Sequence, residues 1–227
     1  MDGDEGLRER SRRRTRAAIA DAAMRLFLQR GFDRVSVAEI AAAAGVAEKT
    51  VYNYFPAKAG LFFDEGDDLL AELLAAVRHR AAGESALSAV RTYIAGRAEW
   101  AADRRPARPT ARFRQLIADS PALQAHRRLM FSRYETALAG LLAEETGVPA
   151  GSAEPFVAAV ALVAVLRASF EAAAGRPGPG RDEAARSLDL LAGGLAGYAV
   201  ARRAEGDRGT GGGEHPAGRA GADGEIV

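Results

Sequence analysis

The chain of 227 residues carries 31 lysines and arginines against 30 aspartates and glutamates, a formal net charge of +1, and 48% of its residues are hydrophobic. This is the composition of an ordinary soluble protein that is long enough to bury a substantial core. Because the chain has no cysteine, disulfides, zinc fingers, iron–sulfur clusters and thiol nucleophiles are excluded. The three histidines lie far apart in sequence, so neither a metal site nor a cofactor is expected.

The N-terminus is charged and lacks the apolar segment of a secretory signal. No uninterrupted apolar run reaches the roughly 18 residues that a membrane span requires. We therefore expect a cytoplasmic protein with no membrane partner.

A basic run lies near the start of the chain. Six arginines fall between Arg8 and Arg16 against a single acid, Glu9. Such a run suits the phosphate backbone of a nucleic acid, and the alternative is a solvated arm without a partner. We predict a disordered arm over residues 1–11, followed by candidate DNA contacts at Arg12, Arg13 and Arg14.

The remaining sequence follows the helical period, and no stretch alternates every two residues, so an all-α fold is predicted. Glycines and prolines divide this pattern into separate helices. The predicted helices cover 12–30, 37–43, 47–55, 58–82, 85–103, 107–118, 121–146, 152–174 and 182–204. The glycine-rich segment 205–227 is predicted to be a disordered tail.

Segment 36–58 combines two short helices with a tight turn. Ser36 and Glu39 have the spacing of a capping box at the start of the first helix. Gly45 lies at the turn, where a positive φ is needed. Apolar residues on both sides, Ile40 and Val51 among them, are spaced to hold the two helices together. The segment therefore predicts a helix-turn-helix.

The outer surface of the second helix is expected to present Glu48, Lys49, Thr50, Asn53 and Tyr54. Hydroxyls, amides and a lysine there can reach base edges and phosphates in a major groove, whereas Glu48 either reads a base or complements the charge of the helix N-terminus. We expect Tyr52 and Phe55 to turn inward against Phe27 and Phe32. Lys58 begins the next helix, where its side chain and the helix N-terminal amides would bind a phosphate.

Three segments carry a family resemblance: Ala18-Ile19-x-x-Ala22-Ala23-x-x-Leu26-Phe27-x-x-x-Gly31-Phe32, then Ser36-Val37-x-x-Ile40-Ala41-x-x-Ala44-Gly45-Val46, and Thr50-Val51-Tyr52-x-Tyr54-Phe55-x-x-Lys58. Over residues 14–62 they resemble the TetR family of bacterial transcriptional regulators. The resemblance implies a three-helix DNA-binding head over 12–58 and a helical ligand-binding and dimerisation body over 59–204. Ala47 departs from the family pattern, because Ser or Thr often caps the recognition helix there.

The resemblance also implies a homodimer that places two recognition helices in successive major grooves of a palindromic operator. It assigns phosphate contacts to Ser36 and Lys58. It assigns base contacts to Lys49 and Asn53. Thr50 and Tyr54 would contact backbone or bases, and Tyr52 would contact phosphate or support the helix.

By the same resemblance, the last two predicted helices form a four-helix bundle with their copies in the second subunit. The candidate interface residues are Phe156, Val160, Val163, Leu188, Leu191, Gly194, Leu195 and Tyr198. Glycine in a helix costs about 1 kcal/mol. The presence of Gly193, Gly194 and Gly197 therefore indicates a close helix approach that compensates for this cost. The alternative is that these helices form only an intrachain core.

Large aromatic residues and a methionine on the intervening helices fit an apolar ligand cavity as well as they fit core packing. The candidate ligand-binding residues are Tyr93, Trp100, Phe113, Met130, Phe131, Tyr134, Arg167 and Phe170. The stretch 112–124, followed by Tyr134, resembles a TetR subgroup with acyl-CoA-like ligands. We expect a hydrophobic or amphipathic ligand, with Arg112, Arg114 and Arg167 either facing its anionic group or serving as surface charges. His126 is expected on a solvated helix face.

The sequence shows no glycine-rich phosphate loop, nucleophile motif or paired-carboxylate motif, so no enzyme is predicted. We predict a repressor whose small-molecule effector tilts helix 58–82 and moves the two heads off a groove spacing of about 34–36 Å. The alternative function is a dimeric DNA-binding architectural or coregulator protein without a small-molecule site.

Overall fold

The computed structural model describes residues 2–104, 110–173 and 181–194. Within these ranges the chain forms helices and no strand, so the predicted all-α fold is confirmed. The helices are α1 (Asp2–Arg30), α2 (Val37–Ala44), α3 (Glu48–Tyr54), α4 (Lys58–Phe62), α5 (Gly66–Arg78), α6 (Ala86–Arg104), α7 (Thr110–Asp119), α8 (Pro121–Thr146), α9 (Ala153–Ala173) and α10 (Arg181–Gly193).

The chain divides into two compact units, residues 1–189 and 190–227. Of the second unit the structure describes only 190–194, which comprise the end of α10 and the glycine that follows it. The predicted tail over 205–227 lies outside the described residues. Among the helices that the structure does describe, none is both long and apolar enough to cross a membrane.

Helix α1 begins at Asp2, so the prediction of a disordered arm over 1–11 is wrong for the backbone from residue 2 onward. The arginine-rich segment consists mostly of good helix formers. The amphipathic segment from Ile19 onward is anchored in the core, and a helix that has already formed is extended at little further cost. The basic run therefore continues the first helix instead of forming an arm.

Helices α2 and α3 form the predicted helix-turn-helix. Ser36 caps α2, and its side chain and that of Glu39 each accept a hydrogen bond from the other residue's backbone N–H, which confirms the capping box. Gly45 ends α2 with φ 69° and ψ 31°, the left-handed conformation that the turn requires. The predicted bounds of both helices are confirmed to within one residue.

The core of the head joins α1 to α4 through aromatic contacts. The rings of Phe27 and Phe32 lie 5.0 Å apart, and Phe62 of α4 lies 6.2 Å from Phe27. Ile19 and Val51 are fully buried in the same cluster. The head core therefore continues into α4 rather than ending at its first residue.

The helix predicted over 58–82 is broken. Helix α4 ends at Phe62, and α5 begins only at Gly66. At Gly66 the body helix α8 comes so close that a Cβ atom would lie 3.1 Å from the sulfur of Met130. Tyr134 of α8 donates a hydrogen bond to the Gly66 carbonyl. These contacts favour a separate helix start at Gly66, and we call residues 63–65 the break.

His126 of α8, which was expected on a solvated helix face, contacts the break. Its ring is half-buried and stacks on Phe63, with centroids 5.5 Å apart and planes 10° from parallel. That prediction is wrong because α8 packs on the break with the face that contains His126.

In the body, α8 and α9 form the most extensive helix pair of the described chain. The boundaries of α8 agree with the prediction to the residue, since Ser120 caps its start and Gly147 ends it with φ 69°. Helix α10 ends at Gly193, and Gly194 has φ 78°. The prediction that this helix continues through Gly194 is wrong, because the left-handed glycine terminates it. Residues 195–204 lie outside the described residues.

Candidate nucleic-acid interface

Helix α3 has a buried face and an exposed face. Val51 is fully buried, and Phe55 directly after the helix is buried with it. Lys49 and Asn53 are exposed and lie one turn apart, so they share a face. The core thus fixes the helix from one side while a lysine and an amide are free to contact bases from the other.

The exposed and buried aromatic residues of α3 are not the ones that were predicted. Tyr52 was expected to turn inward with Phe55, but 47% of its surface is exposed. Tyr54, expected on the outer surface, is half-buried and packs against the head core. The reason is helical phase, because Tyr54 follows Val51 by three residues and shares its face, whereas Tyr52 lies about 100° away. Tyr52 is therefore available for a phosphate contact.

The first turn of α3 has no side-chain cap. Ala47 has the extended N-cap conformation, with φ −72° and ψ 149°, but makes no capping hydrogen bond. Thr50 is half-buried, and Glu48 is exposed in the first turn. Residue 47 therefore serves this turn only through its backbone carbonyl, which accepts from the amides of Thr50 at 2.9 Å and Val51 at 3.3 Å, and it offers no side-chain acceptor.

Ser36 lies at the start of α2 and is already engaged within the chain. Its hydroxyl lies 2.8 Å from Glu39 Oε2 and accepts from the Glu39 amide. Arg30 places a guanidinium nitrogen 2.8 Å from the other carboxylate oxygen of Glu39. The Ser36 backbone amide, Arg30 and the Ser36 hydroxyl together lower the pKa of Glu39 to about 2. A phosphate contact by Ser36 would therefore compete with the capping box.

Lys58 is the first residue of α4, and its ammonium nitrogen lies 4.3 Å from the centre of the Phe32 ring. Burial lowers its pKa below the usual range, while the nearby carboxylates of Asp33 and Glu39 act in the opposite direction. Placed over an aromatic face, the ammonium group is held at the head surface by a cation–π contact. The side chain is half-buried and would have to extend to reach a phosphate.

The basic run is exposed on α1, with Arg12, Arg13 and Arg14 all on the surface. Sequence reasoning did not single out Arg16, which contacts α3 directly. Its guanidinium lies 4.3 Å from the centre of the Phe55 ring and donates a 3.1 Å hydrogen bond to the Tyr54 carbonyl. The available signal was its position three residues before Ile19, at the edge of the apolar face of α1.

Most of the predicted ligand-binding residues that the structure describes do not line a shared cavity. Tyr134 is buried, and Met130 packs at Gly66. The Tyr93 hydroxyl donates to the Leu69 carbonyl at 3.2 Å. Phe113 stacks on Phe62 at 4.3 Å and belongs to the head core. The aromatic cluster is therefore mainly packing, and the side chains of Trp100 and Phe170 lie outside the described residues.

A different cleft does open on the body. It has a volume of about 320 Å³ and is lined by Arg127, Arg128, Phe131 and Arg167. The Arg167 guanidinium lies 6.0 Å from the centre of the Phe131 ring. Of the predicted ligand-binding residues, this cleft brings together Phe131 and Arg167, whereas Arg112 and Arg114 do not line it.

The candidate dimer residues differ in their exposure. Phe156 is exposed and Val160 is half-buried on the outer face of α9. Val163 and Leu188 are buried within the chain, which leaves little of their surface for a second subunit. Leu191 is half-buried and Gly194 exposed. Leu195 and Tyr198 lie outside the described residues.

The capped first helix, the left-handed glycine and the core-anchored second helix define a helix-turn-helix DNA-binding protein. A family model described as bacterial regulatory proteins, tetR family, matches residues 19–64. A second, described as the MftR C-terminal domain, matches residues 81–196. The chain therefore belongs to the TetR family of transcriptional regulators. These regulators are not enzymes, in agreement with the sequence prediction.

Two relatives support this assignment. The "Putative mycofactocin biosynthesis transcriptional regulator MftR" of Mycobacterium tuberculosis is 28% identical over 169 residues, 71% of this chain and 81% of that one. The HTH-type transcriptional regulator TcmR of Streptomyces glaucescens is 35% identical over 85 residues, 37% of this chain and 38% of that one. The first relative thus extends the similarity beyond the head.

Solved structures agree at the level of the fold. A Pseudomonas aeruginosa PAO1 protein is 20% identical, with a TM-score of 0.52 over 82% of this chain and 92% of that one. The TetR family repressor FadR of Thermus thermophilus, solved with lauroyl-CoA, is 27% identical and covers 90% of this chain and 100% of that one, with a TM-score of 0.46. At that score the pair does not bear on the ligand of this chain.

Proposed function

We propose that this regulator is a repressor that binds a palindromic operator as a homodimer and is released by a small hydrophobic or acyl-type ligand. The observation that carries the DNA-binding part is the division of α3. Val51 and Phe55 are buried, while Lys49, Tyr52 and Asn53 are exposed. This arrangement offers base-reading and phosphate-binding groups on a helix whose position is fixed by the core.

The outer face of α9 supports the homodimer. Phe156 and Val157 are 47% and 65% exposed there, and neighbouring Val160 is half-buried. Large exposed apolar side chains that cluster on one helix face are typical of an interface. A second copy would bury them about a two-fold axis and present two copies of α3 to the operator.

The arginine-lined cleft supports a ligand with both an anionic and an apolar part. Arg128 and Arg167 supply guanidinium groups, and Phe131 supplies an aromatic face. Its volume of about 320 Å³ lies at the lower end of the usual range for small-molecule sites. An acyl group joined to a phosphate- or carboxylate-bearing moiety has this chemistry.

Fluorescence anisotropy with a labelled duplex from the gene's own upstream region tests operator binding. We expect saturable, salt-sensitive binding at two protomers per palindrome, weakened by about tenfold or more in Lys49→Ala, since a base contact contributes roughly 1–3 kcal/mol. Arg78→Ala is the matched control, because it removes one positive charge from an exposed site on α5. Equally weak binding to a shuffled duplex, unchanged by Lys49→Ala, would contradict the proposal.

The same assay tests the ligand. Lauroyl-CoA is expected to release the duplex at lower concentration than coenzyme A alone, and Arg167→Ala is expected to raise the concentration required. If neither compound changes DNA binding or the melting temperature, the acyl-type ligand is wrong. Operator binding without any effector response would support the architectural alternative.

A further inference from the structure

Arg16 joins two parts of the molecule that are distant in sequence. Its Nη1 donates to the carbonyl of Tyr54, the last residue of α3, at 3.1 Å. Its Nη2 donates to the carbonyl of Asp64, within the break, at 3.0 Å. The Phe55 ring lies under the same guanidinium at 4.3 Å. A single side chain of α1 therefore binds the end of the recognition helix and the break together.

The chemistry of this contact makes it sensitive to position. The guanidinium is planar, so its two donors have a fixed separation and direction. Hydrogen bonds weaken steeply when distance or angle departs from the favourable range. The Tyr54 carbonyl lies at a helix C-terminus, where a cationic donor is favoured. A displacement of the Asp64 carbonyl must therefore either move the end of α3 or break one of the two bonds.

The body contacts the residue that directly follows the break. The buried Tyr134 of α8 donates its hydroxyl to the carbonyl of Gly66, two residues after Asp64. Its ring meets Phe131 edge-on at 5.7 Å, and Phe131 lines the arginine-lined cleft. Contacts thus continue from the cleft through α8 to the break, and from the break through Arg16 to α3.

We propose that Arg16 is a positioning residue that sets α3 relative to the break, and that Tyr134 fixes Gly66, directly after the break, to α8. Movement of α8 then reaches the recognition helix through the carbonyls of Gly66, Asp64 and Tyr54. This inference deepens the proposed function and rests on operator binding by α3. Arg16 itself contacts no base in this arrangement, because its donors are directed at the protein backbone.

Arg16→Lys separates positioning from a simple phosphate contact. Lysine keeps the charge and would keep a phosphate contact, but it cannot reproduce the two-armed bond to both carbonyls. We expect operator affinity to fall by about tenfold, the typical effect of losing a charged hydrogen bond. Arg80→Lys is the matched control, since Arg80 binds the carbonyls of Val77, in the last turn of α5, and of Glu84, in the loop after it. It should lower the melting temperature without weakening operator binding.

Tyr134→Phe tests the second link, because it removes only the hydroxyl. We expect a several-fold loss of operator affinity. The double variant Arg16→Lys/Tyr134→Phe should bind no more weakly than Arg16→Lys, because both residues act through the break, whereas independent sites give additive effects. Tyr93→Phe, which removes the hydroxyl bonded to the Leu69 carbonyl, is the control and should retain wild-type affinity.

The outcomes are distinguishable. Wild-type affinity in Arg16→Lys would overturn the positioning role, and multiplied losses in the double variant would overturn the link through the break. A wild-type protein that discriminates no duplex would overturn the proposed function itself, before any variant is compared.

Discussion

At the residue scale, the capping box of α2 forms a small electrostatic site as well as a helix start. Glu39 accepts from the Ser36 amide and hydroxyl and pairs with Arg30. Each of these contacts favours the ionised carboxylate, which is why its pKa falls to about 2. Protonation in acid therefore weakens the start of α2.

Glu39→Gln should make this contribution measurable. Because the folded-state pKa of Glu39 lies below the ordinary value of 4.5, its stabilising effect is present above that value and is lost as the pH falls toward 2. We expect the variant to melt at a lower temperature than wild type at pH 7, and the difference to shrink between pH 4.5 and pH 2. A difference of constant size across that range, followed by circular dichroism, would contradict the assignment.

The residues that could be predicted from the sequence have partners close by in the chain, whereas those that could not be predicted have distant partners. Ser36, Glu39 and Gly45 act through neighbours three or four positions away, so spacing alone identified them. Tyr52 was predicted to face inward, but Tyr54 does so instead. The sequence could not tell them apart, because core contacts set the phase of so short a helix. Arg16 has partners 38 and 48 residues away. Both partners are backbone carbonyls, which every residue has. The sequence therefore does not distinguish Arg16 from the other arginines of the basic run.

At the element scale, α3 begins less stably than α2. Ala47 already has an N-cap conformation but supplies no acceptor. The recognition helix is therefore held mainly by the burial of Val51 and Phe55 rather than by its own start. This matches the departure from the family pattern noted in the sequence.

Ala47→Ser should add the missing cap. The backbone is already extended, so the hydroxyl can accept from an amide in the first turn, and we expect stability to rise by about 1 kcal/mol. Urea unfolding measures the change. Ala43→Ser, at an exposed position inside α2, is the control and should be neutral or slightly destabilising. Equal effects of the two substitutions would argue against a capping role for residue 47.

Helix boundaries were predictable where caps mark them, as at Ser120 and Gly147 around α8. The break escaped prediction because the apolar residues on its two sides stay in helical phase: Leu61 and Leu69 are eight residues apart. Nothing local marks residues 63–65 as non-helical. The interruption coincides with contacts from Met130 and Tyr134, far along the chain.

At the scale of the whole molecule, α9 has apolar residues on both faces. Ala159 and Leu166 are buried, whereas Phe156 and Val157 are exposed. The sequence therefore predicted an apolar helix but could not say which residues serve the intrachain core. The aromatic cluster had the same ambiguity, because cavity lining and core packing use the same residue types. Phe113 and Tyr134 proved to belong to packing.

Phe156→Glu should disrupt the proposed dimer. A carboxylate on the outer face of α9 would be buried without a partner in the assembled interface, which is strongly unfavourable. We expect sedimentation to show a shift toward the monomer and operator affinity to fall with it. Leu129→Glu is the control, because Leu129 is 66% exposed on α8, and its variant should remain dimeric. A dimer that persists in Phe156→Glu would place the interface elsewhere.

The break between α4 and α5 changes the mechanics of the connection between body and head. An unbroken helix over 58–78 would be a stiff rod about 31 Å long, and a tilt of a few degrees would be magnified along its length. The broken one consists of a segment of about 7.5 Å seated in the head and a segment of about 20 Å in the body. Such a connection behaves as an articulated joint rather than a lever. In the proposed homodimer, the backbone torsions of Phe63, Asp64 and Glu65, more than the tilt of any helix, would determine the distance between the two heads.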